Sequence, residues 1–432
     1  IKMKDCLMKE RRRWFIVFVI FSVLLSQSTF LADSSKSVDN GHIIKGVPYV
    51  SMETGRECEL SSIAMLVNYL GKNYSLHELF YLIGAGHAIS YTPPRRLSNI
   101  ISKCSPPTLW MGSTQCFWKE DWYFISNLLG IRCNISYIEN YTDKETAWNQ
   151  YWTRVKGYIK QDLPVYTQIN MSKLSYYQHK DGFPSKYNMC HAIVIVGYNE
   201  SNGTVCYNDG EPGFEGHPEE GFYVYENLSN FHDAVITADE STYVIYKKSF
   251  CTITLENVSK GLSKSVACEI AFVRNMAKMR GLKWAYDPIF LTENNIVGEK
   301  AIKAFKRDMK AWKVLLKFPM WQIMNKIANK ISGESNFPFN TSLEFLKIIS
   351  QEKRFASETM TKNCRSNRRI LLSAYKLENE SKKWNELFNM EKDFVNTILS
   401  RRFSMMHSIF LLVQINRIIN EIIDIENEML LS

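Results

Sequence analysis

The stretch Ala192-Ile-Val-Ile-Val-Gly-Tyr198 constrains this chain more than any other. It is almost uninterrupted apolar sequence, and Val165 to Asn170 reads as a second strand buried with it. A strand with one wet face alternates polar and apolar residues. A continuous run of this kind belongs to a strand covered on both faces. The covering elements are legible as well. Leu60 to Leu70 carries Ile63, Leu66, Val67 and Leu70 at helical spacing, and Gly71 stops it. Ser75-Leu-His-Glu78 opens the next helix as a capping box. Asp143 to Lys160 reads as an amphipathic helix ending ahead of Asp162-Leu-Pro164, and Thr204 to Asn208 reads as a third strand. Tyr223 to Tyr225 and Ser241 to Lys247 extend the sheet. Residues 47–255 are therefore expected to form a mixed α+β domain.

From about residue 260 the texture changes. Lys264 to Met279, Gly298 to Lys330, Ser342 to Lys353, Arg365 to Phe388 and Glu391 to Leu431 follow helical periodicity. Gly281, Pro288, Pro319, Gly333 and Pro338 fall between them. Residues 260–432 read as an all-α domain, within the two or three domains that 432 residues allow. A hydrophobic content of 45% with 22% charged residues supplies a core and excludes wholesale disorder. The net charge of +9 is uneven: from residue 261 onward there are 28 Lys/Arg against 18 Asp/Glu. No nucleic-acid motif accompanies that excess, so no nucleic-acid partner is expected. Lys300 to Lys330 interleaves its cations with Ala301, Phe305, Met309 and Trp312, which reads as a packed helix with a solvated basic side. The alternative is a face that guides an anionic substrate or membrane surface.

The N-terminus points to export. Lys9 to Arg13 is a basic run, Trp14 to Ser26 is apolar apart from Ser22, and small residues follow. Residues 1–32 read as a signal peptide or an N-terminal membrane anchor, with possible membrane association through residues 14–32. Residues 33–46 read as a linker. The body would then be extracytoplasmic, secreted or membrane-anchored. Asn-X-Ser/Thr sequons at ten positions, from Asn73 to Asn379, exceed the roughly four or five that chance would give and fit a glycoprotein. Beyond Cys6 there are nine cysteines and no CxxC, so eight could pair as disulfides and leave one thiol. Cys104, Cys116 and Cys133 share a loop-rich stretch and are the expected local partners.

Cys58 lies in Gly55-Arg-Glu-Cys-Glu-Leu, immediately before the helix near Leu60. Helix N-terminal amides and the dipole favour thiolate there. His191 stands at the mouth of the apolar strand, 133 residues on, within the ~130–150 spacing of papain-type enzymes. Such an imidazole deprotonates the thiol for attack on a carbonyl or thioester carbon. A third group must orient the ring, and Asn208-Asp209-Gly210 ends the next strand. Asp209 is the first choice and Asn208 the alternative. A metal site built from Cys190, His191 and Cys206 or His179 is disfavoured by irregular spacing, and nothing calls for a cofactor.

His191-Ala-Ile-Val-Ile-Val-Gly-Tyr with Tyr207-Asn-Asp resembles the histidine strand and Asn-Asp turn of C39-like papain-fold cysteine peptidases, as do Val47-Pro-Tyr, Cys58 with Ala64-Met65, and Asp162-Leu-Pro-Val. Two positions depart: Cys58-Glu59-Leu60 replaces Cys-Gly-Pro, and Met52 stands where an oxyanion-hole Gln is usual. The order of Cys58-Glu59, Tyr69-Leu-Gly71, Glu78-Leu-Phe80, Gly84-Ala-Gly86, Tyr176-Tyr177, Asn227-Leu-Ser and Gly298 to Trp312 is also similar to the butirosin biosynthesis protein H family. That resemblance implies a papain-like thiol acyltransferase domain followed by a helical domain. The function expected is cleavage or transfer of an acyl or amide group, on a peptide or acyl/amide substrate, through a thioester at a Cys58-His191-Asp209 site. A catalytically inactive binding module of the same fold is the alternative. The oligomeric state is left open.

Overall fold

Ten strands are formed among the residues that the computed structural model describes, which are 41–53, 57–92, 108–111, 119–138, 141–178, 190–211, 221–240, 250–286, 296–315, 337–399 and 405–431. They are β1 (His42–Ile43), β2 (Ile89–Thr92), β3 (Thr108–Met111), β4 (Ile131–Ser136), β5 (Val165–Asn170), β6 (Cys190–Asn199), β7 (Thr204–Asn208), β8 (Val224–Asn227), β9 (Thr252–Asn257) and β10 (Ile296–Val297). Seven make one antiparallel sheet in the order β4-β9-β5-β6-β7-β8, with β1 added to β6. Every residue of β5 is buried, polar Thr167, Gln168 and Asn170 included, and so are residues 191–198 of β6.

Helices cover both faces. The sheet is flanked by α1 (Cys58–Tyr69), α2 (Leu76–Ile83), α3 (Lys119–Leu129), α4 (Lys144–Ile159), α5 (Ser175–Gln178) and α6 (Leu228–Ile236). Tyr166 reaches Glu59 of α1, whereas its neighbour Thr167 accepts the hydroxyl of Tyr151 from α4. Successive strand residues point to opposite sides, so α1 and α4 sandwich the sheet. The Ser75–Glu78 capping box opens α2, and Asp143 accepts the Thr146 N–H to open α4.

The C-terminal part is helical: α7 (Lys264–Met279), α8 (Glu299–Leu315), α9 (Phe337–Asn363), α10 (Arg368–Leu399) and α11 (Met405–Leu431). Ser350 meets Ser381 and Ser357 meets the Ala374 carbonyl, so α9 and α10 run antiparallel. Lys383–Glu421 and Lys376–Glu428 set α11 antiparallel to α10. Trp384, Leu387, Ile415, Ile418, Ile419 and Ile422 fill the bundle with Ala301 and Phe305 of α8. The side chains of Met309 and Trp312, and residues 316–330, lie outside the described residues.

Several expectations are corrected. The linker expected over 33–46 ends by residue 42, because His42 and Ile43 pair with Tyr198 and Gly197 and Ile44 is buried. The stretch around Cys133 is not loop: α3 and β4 occupy it, and β4 pairs along its whole length with β9. No break occurs at Phe388, where neither Gly nor Pro interrupts the chain, and α10 continues to Leu399. Strands β10, β2 and β3 form a second small sheet. Residues 1–40, 104, 116 and 241–247 lie outside the described residues, and with them the export segment, two of the cysteines expected to pair locally and one expected strand. Among the described residues no helix is long and apolar enough to cross a membrane.

Residues 41–432 form one compact unit. Phe355, Ala356 and Met360 of α9 share a core with α2 and α7. A Cys268–Cys364 disulfide ties α7 to the end of α9. Glu78 is the polar knot here: its carboxylate accepts from Lys264 of α7 and from Lys362 and Asn363 of α9. Burial alone would raise its pKa, but Lys264, the Ser75 N–H and Lys362 bring it down to about 2. Its stabilising contribution is complete above the ordinary carboxylate range and is lost as pH falls from about 4.5 towards 2. Replacing Glu78→Gln should cost about 1–2 kcal/mol at neutral pH and flatten that part of the acid-unfolding curve. An acid limb identical to the wild type would show that Glu78 does not carry it.

Candidate functional site

The antiparallel return from β6 to β7 brings residues 191 and 209 together, and a bulge selects the residue. Gly197 lies opposite Cys206, but Ile195 lies opposite Tyr207, so Val196 is extra. Continued from the Val194–Asn208 pair, this register sets residue 209 across from 193, on the face that His191 also uses. Without the bulge, Asp209 would lie on the other face. Asn208 is therefore turned away. Its Oδ1 accepts the N–H of Tyr223, a residue held at φ 50°, and the Tyr223 hydroxyl bonds the Ile44 carbonyl. That is the work of the alternative residue.

Asp209 is wholly buried and His191 is 5% exposed. The His191 Nε2 lies 2.7 Å from Asp209 Oδ1. A carboxylate only accepts, so Nε2 carries the proton in this bond. Asp209 Oδ1 also accepts the Glu211 N–H at 2.9 Å, and Oδ2 accepts the hydroxyl of Tyr177. With Nε2 so engaged, Nδ1 is the nitrogen left for Cys58, whose thiol interacts with the imidazole and favours its charged form. Burial by itself would lower the histidine's pKa. The Asp209 carboxylate, then Cys58, outweigh it and raise it well above the usual value.

Cys58 is the first residue of α1, half-buried, and not bridged. The turn bearing Asp209 is clamped onto this helix: Met52 donates its N–H to the Gly210 carbonyl. A Cβ on Gly210 would stand 1.8 Å from Ser61 Oγ. Only glycine lets the turn lie so close to α1. Cys133 and Cys206 are pushed up to about 12 by burial, which leaves them protonated at neutral pH. Cys206, weighed with Cys190 and His191 as a metal ligand, is hydrogen-bonded to Tyr225 instead.

Residues 44–228 match the model of the Peptidase_C39 like family. The match supports a C39-like papain-fold domain over this segment. No curated protein matches the chain. Cys58, His191 and Asp209 all fall within the C39-like segment, and so does Met52. Two neighbours of the site had no assigned part in it from the sequence. Tyr177 was legible only as part of a loop ahead of the histidine, and no spacing rule points to it. Glu59 was legible only as a departure from Cys-Gly-Pro and as part of the Cys58-Glu59 pair.

Glu59 is half-buried beside Cys58, and its Oε1 accepts from Tyr166 Oη at 3.0 Å and from Gln168 Nε2 at 3.2 Å. Burial raises its pKa to about 7, against the opposing effect of those two bonds. An acid raised in this way favours folding while neutral, and its contribution falls as pH climbs from about 4.5 to 7. Glu59→Gln keeps an Oε1 acceptor for both donors. The variant should gain stability relative to wild type across that interval, read as a growing difference in urea midpoint; a constant difference would mean that Glu59 titrates normally.

Proposed function

We propose that the C39-like domain is a cysteine-dependent hydrolase or acyltransferase in which Cys58 is the nucleophile, His191 the base and Asp209 the residue that orients the ring. The observation that carries this reading is the buried 2.7 Å bond between His191 Nε2 and Asp209 Oδ1, with the other side of the ring given to Cys58. The Cys58 thiol passes its proton to His191, and the sulfur attacks a carbonyl carbon. Collapse of the tetrahedral adduct breaks the bond to the leaving amine, thiol or alcohol, which takes the proton back from His191. The thioester is then opened by water or by an acceptor amine, whose proton returns to the ring. The Cys58 N–H, at the start of α1, is one oxyanion donor.

The resemblance to the butirosin biosynthesis protein H family favours transfer to an amine. The apolar segment at 14–26 and the sequons favour an extracytoplasmic body, where the Cys268–Cys364 bond would persist. Such a location favours an amide or peptide substrate over a cytoplasmic carrier. A second reading, a non-catalytic binding module, draws on Met52: its side chain cannot donate, and its N–H is spent on Gly210. Loss of one oxyanion donor typically costs ~10²–10³ in rate.

A small acetyl thioester separates these readings. The full chain should accumulate an acetyl adduct at Cys58, located by peptide mass spectrometry, and release it in water or to an added amine. Cys58→Ala should abolish the adduct, and His191→Ala or Asp209→Asn should slow its formation by about 10²–10⁴. Acylation spread over several cysteines, indifferent to His191, would favour the binding module.

A further inference from the structure

We infer that Tyr177 is a positioning residue of the His191–Asp209 pair, fixing the carboxylate against the ring and drawing part of its charge through a hydrogen bond. This rests on the catalytic reading of Cys58 and His191 given above. The Tyr177 hydroxyl donates to Asp209 Oδ2 and lies 3.2 Å from His191 Nε2. Its ring stands edge-on to the imidazole, with centroids 5.8 Å apart. Tyr177 is 1% exposed, so no water replaces it in this arrangement.

The chain holds the phenol in place at some cost. Helix α5 has only four residues and cannot be stable by itself. It is moored at its start: the Ser175 N–H and hydroxyl both donate to Glu226 Oε2 at 2.7 Å, and Glu226 is a buried residue of β8. The preceding turn is closed by Asn170 Oδ1, which accepts the Ser172 N–H. A run of bonds therefore leads from β8 through α5 to Asp209 and then to His191.

The chemistry follows from donor counting. Without Tyr177, Oδ2 would lose a donor inside a site closed to solvent, and the carboxylate would become more basic. The imidazolium would then hold its proton more tightly. The titratable groups facing this pair are Cys58 from α1, Tyr177 from α5, and Glu211 and Tyr207 beside Asp209 on the β7 side.

The test is the pH profile of Cys58 alkylation by iodoacetamide in the full chain, quantified on the Cys58 peptide by mass spectrometry. In Tyr177→Phe the alkaline limb of the profile, where His191 loses its proton, should move to higher pH by about one to two units, the worth of a hydrogen bond to a charged group. In an Asp209→Asn background the same substitution should have no further effect, since Tyr177 acts through that carboxylate. Should Tyr177→Phe fold poorly, 3-fluorotyrosine at position 177 keeps the volume and strengthens the donor, and that limb should move to lower pH. A limb that stays in place in these variants, or an effect that adds to that of Asp209→Asn, would overturn the role of Tyr177. A Cys58 alkylation rate that is unchanged in His191→Ala would instead remove the catalytic reading itself, so the two failures are distinguishable.

Discussion

A carboxylate sealed from water must be surrounded by donors, and much of the organisation of the C39-like domain can be traced from that requirement at Asp209. Among the described residues three groups meet its side chain: the His191 ring, the Tyr177 hydroxyl and the Glu211 N–H. They come from a strand, a single-turn helix and the turn that carries Asp209. Each is held by something further away. The ring is set by β6 between β5 and β7, the phenol by Ser175 on Glu226, and the turn by Gly210 lying on Ser61 and Met52. Desolvation of one acid thus demands order across the sheet, α1 and α5 together. The same desolvation strengthens the attraction that raises the histidine's affinity for a proton.

The helical part is locked to the same domain by buried charge. Lys278 of α7 is wholly buried, and its ammonium bonds Asp121 of α3 at 2.8 Å and the Ile83 carbonyl, which closes the end of α2. Arg274 shares the Asp121 carboxylate. Lys353 of α9, also buried, lies between Glu380 of α10 and Glu426 of α11. Such groups are poor sources of net stability, but removing one partner strands the other in a dry interior. They fix register between elements where apolar packing would tolerate sliding. Glu352, one residue before Lys353, is buried too, and burial, then the charge of Glu57, push its carboxyl well above the usual range.

Much of this was legible in the amino-acid sequence. The limits of β5 and β7 are legible in the sequence, where Pro164 stands before Val165 and Gly203 before Thr204. The Ser75 capping box and the limits of α7 follow from local chemistry. Elements with weak local signals were not legible. Strand β4 is Ile-Arg-Cys-Asn-Ile-Ser, only partly buried, and owes its conformation to pairing with β9, more than a hundred residues away. The two-residue strands β1 and β10 exist only through their partners.

The choice between Asn208 and Asp209 marks the limit of pattern reading here. Both residue types can orient an imidazole, and both sit at the end of the strand beside the histidine. What decides between them is parity, which a strand covered on both faces does not display, since apolar residues occupy both sides. Val196 is as apolar as its neighbours and gives no sign of being the unpaired residue of a bulge. The nearest hint is Gly197, where a Cβ would stand 2.8 Å from the His42 carbonyl. Close approach of β1 and the register shift against β7 coincide at this point of β6. A glycine that admits a third strand thus lies at the irregularity that turns Asp209, and not Asn208, towards the ring.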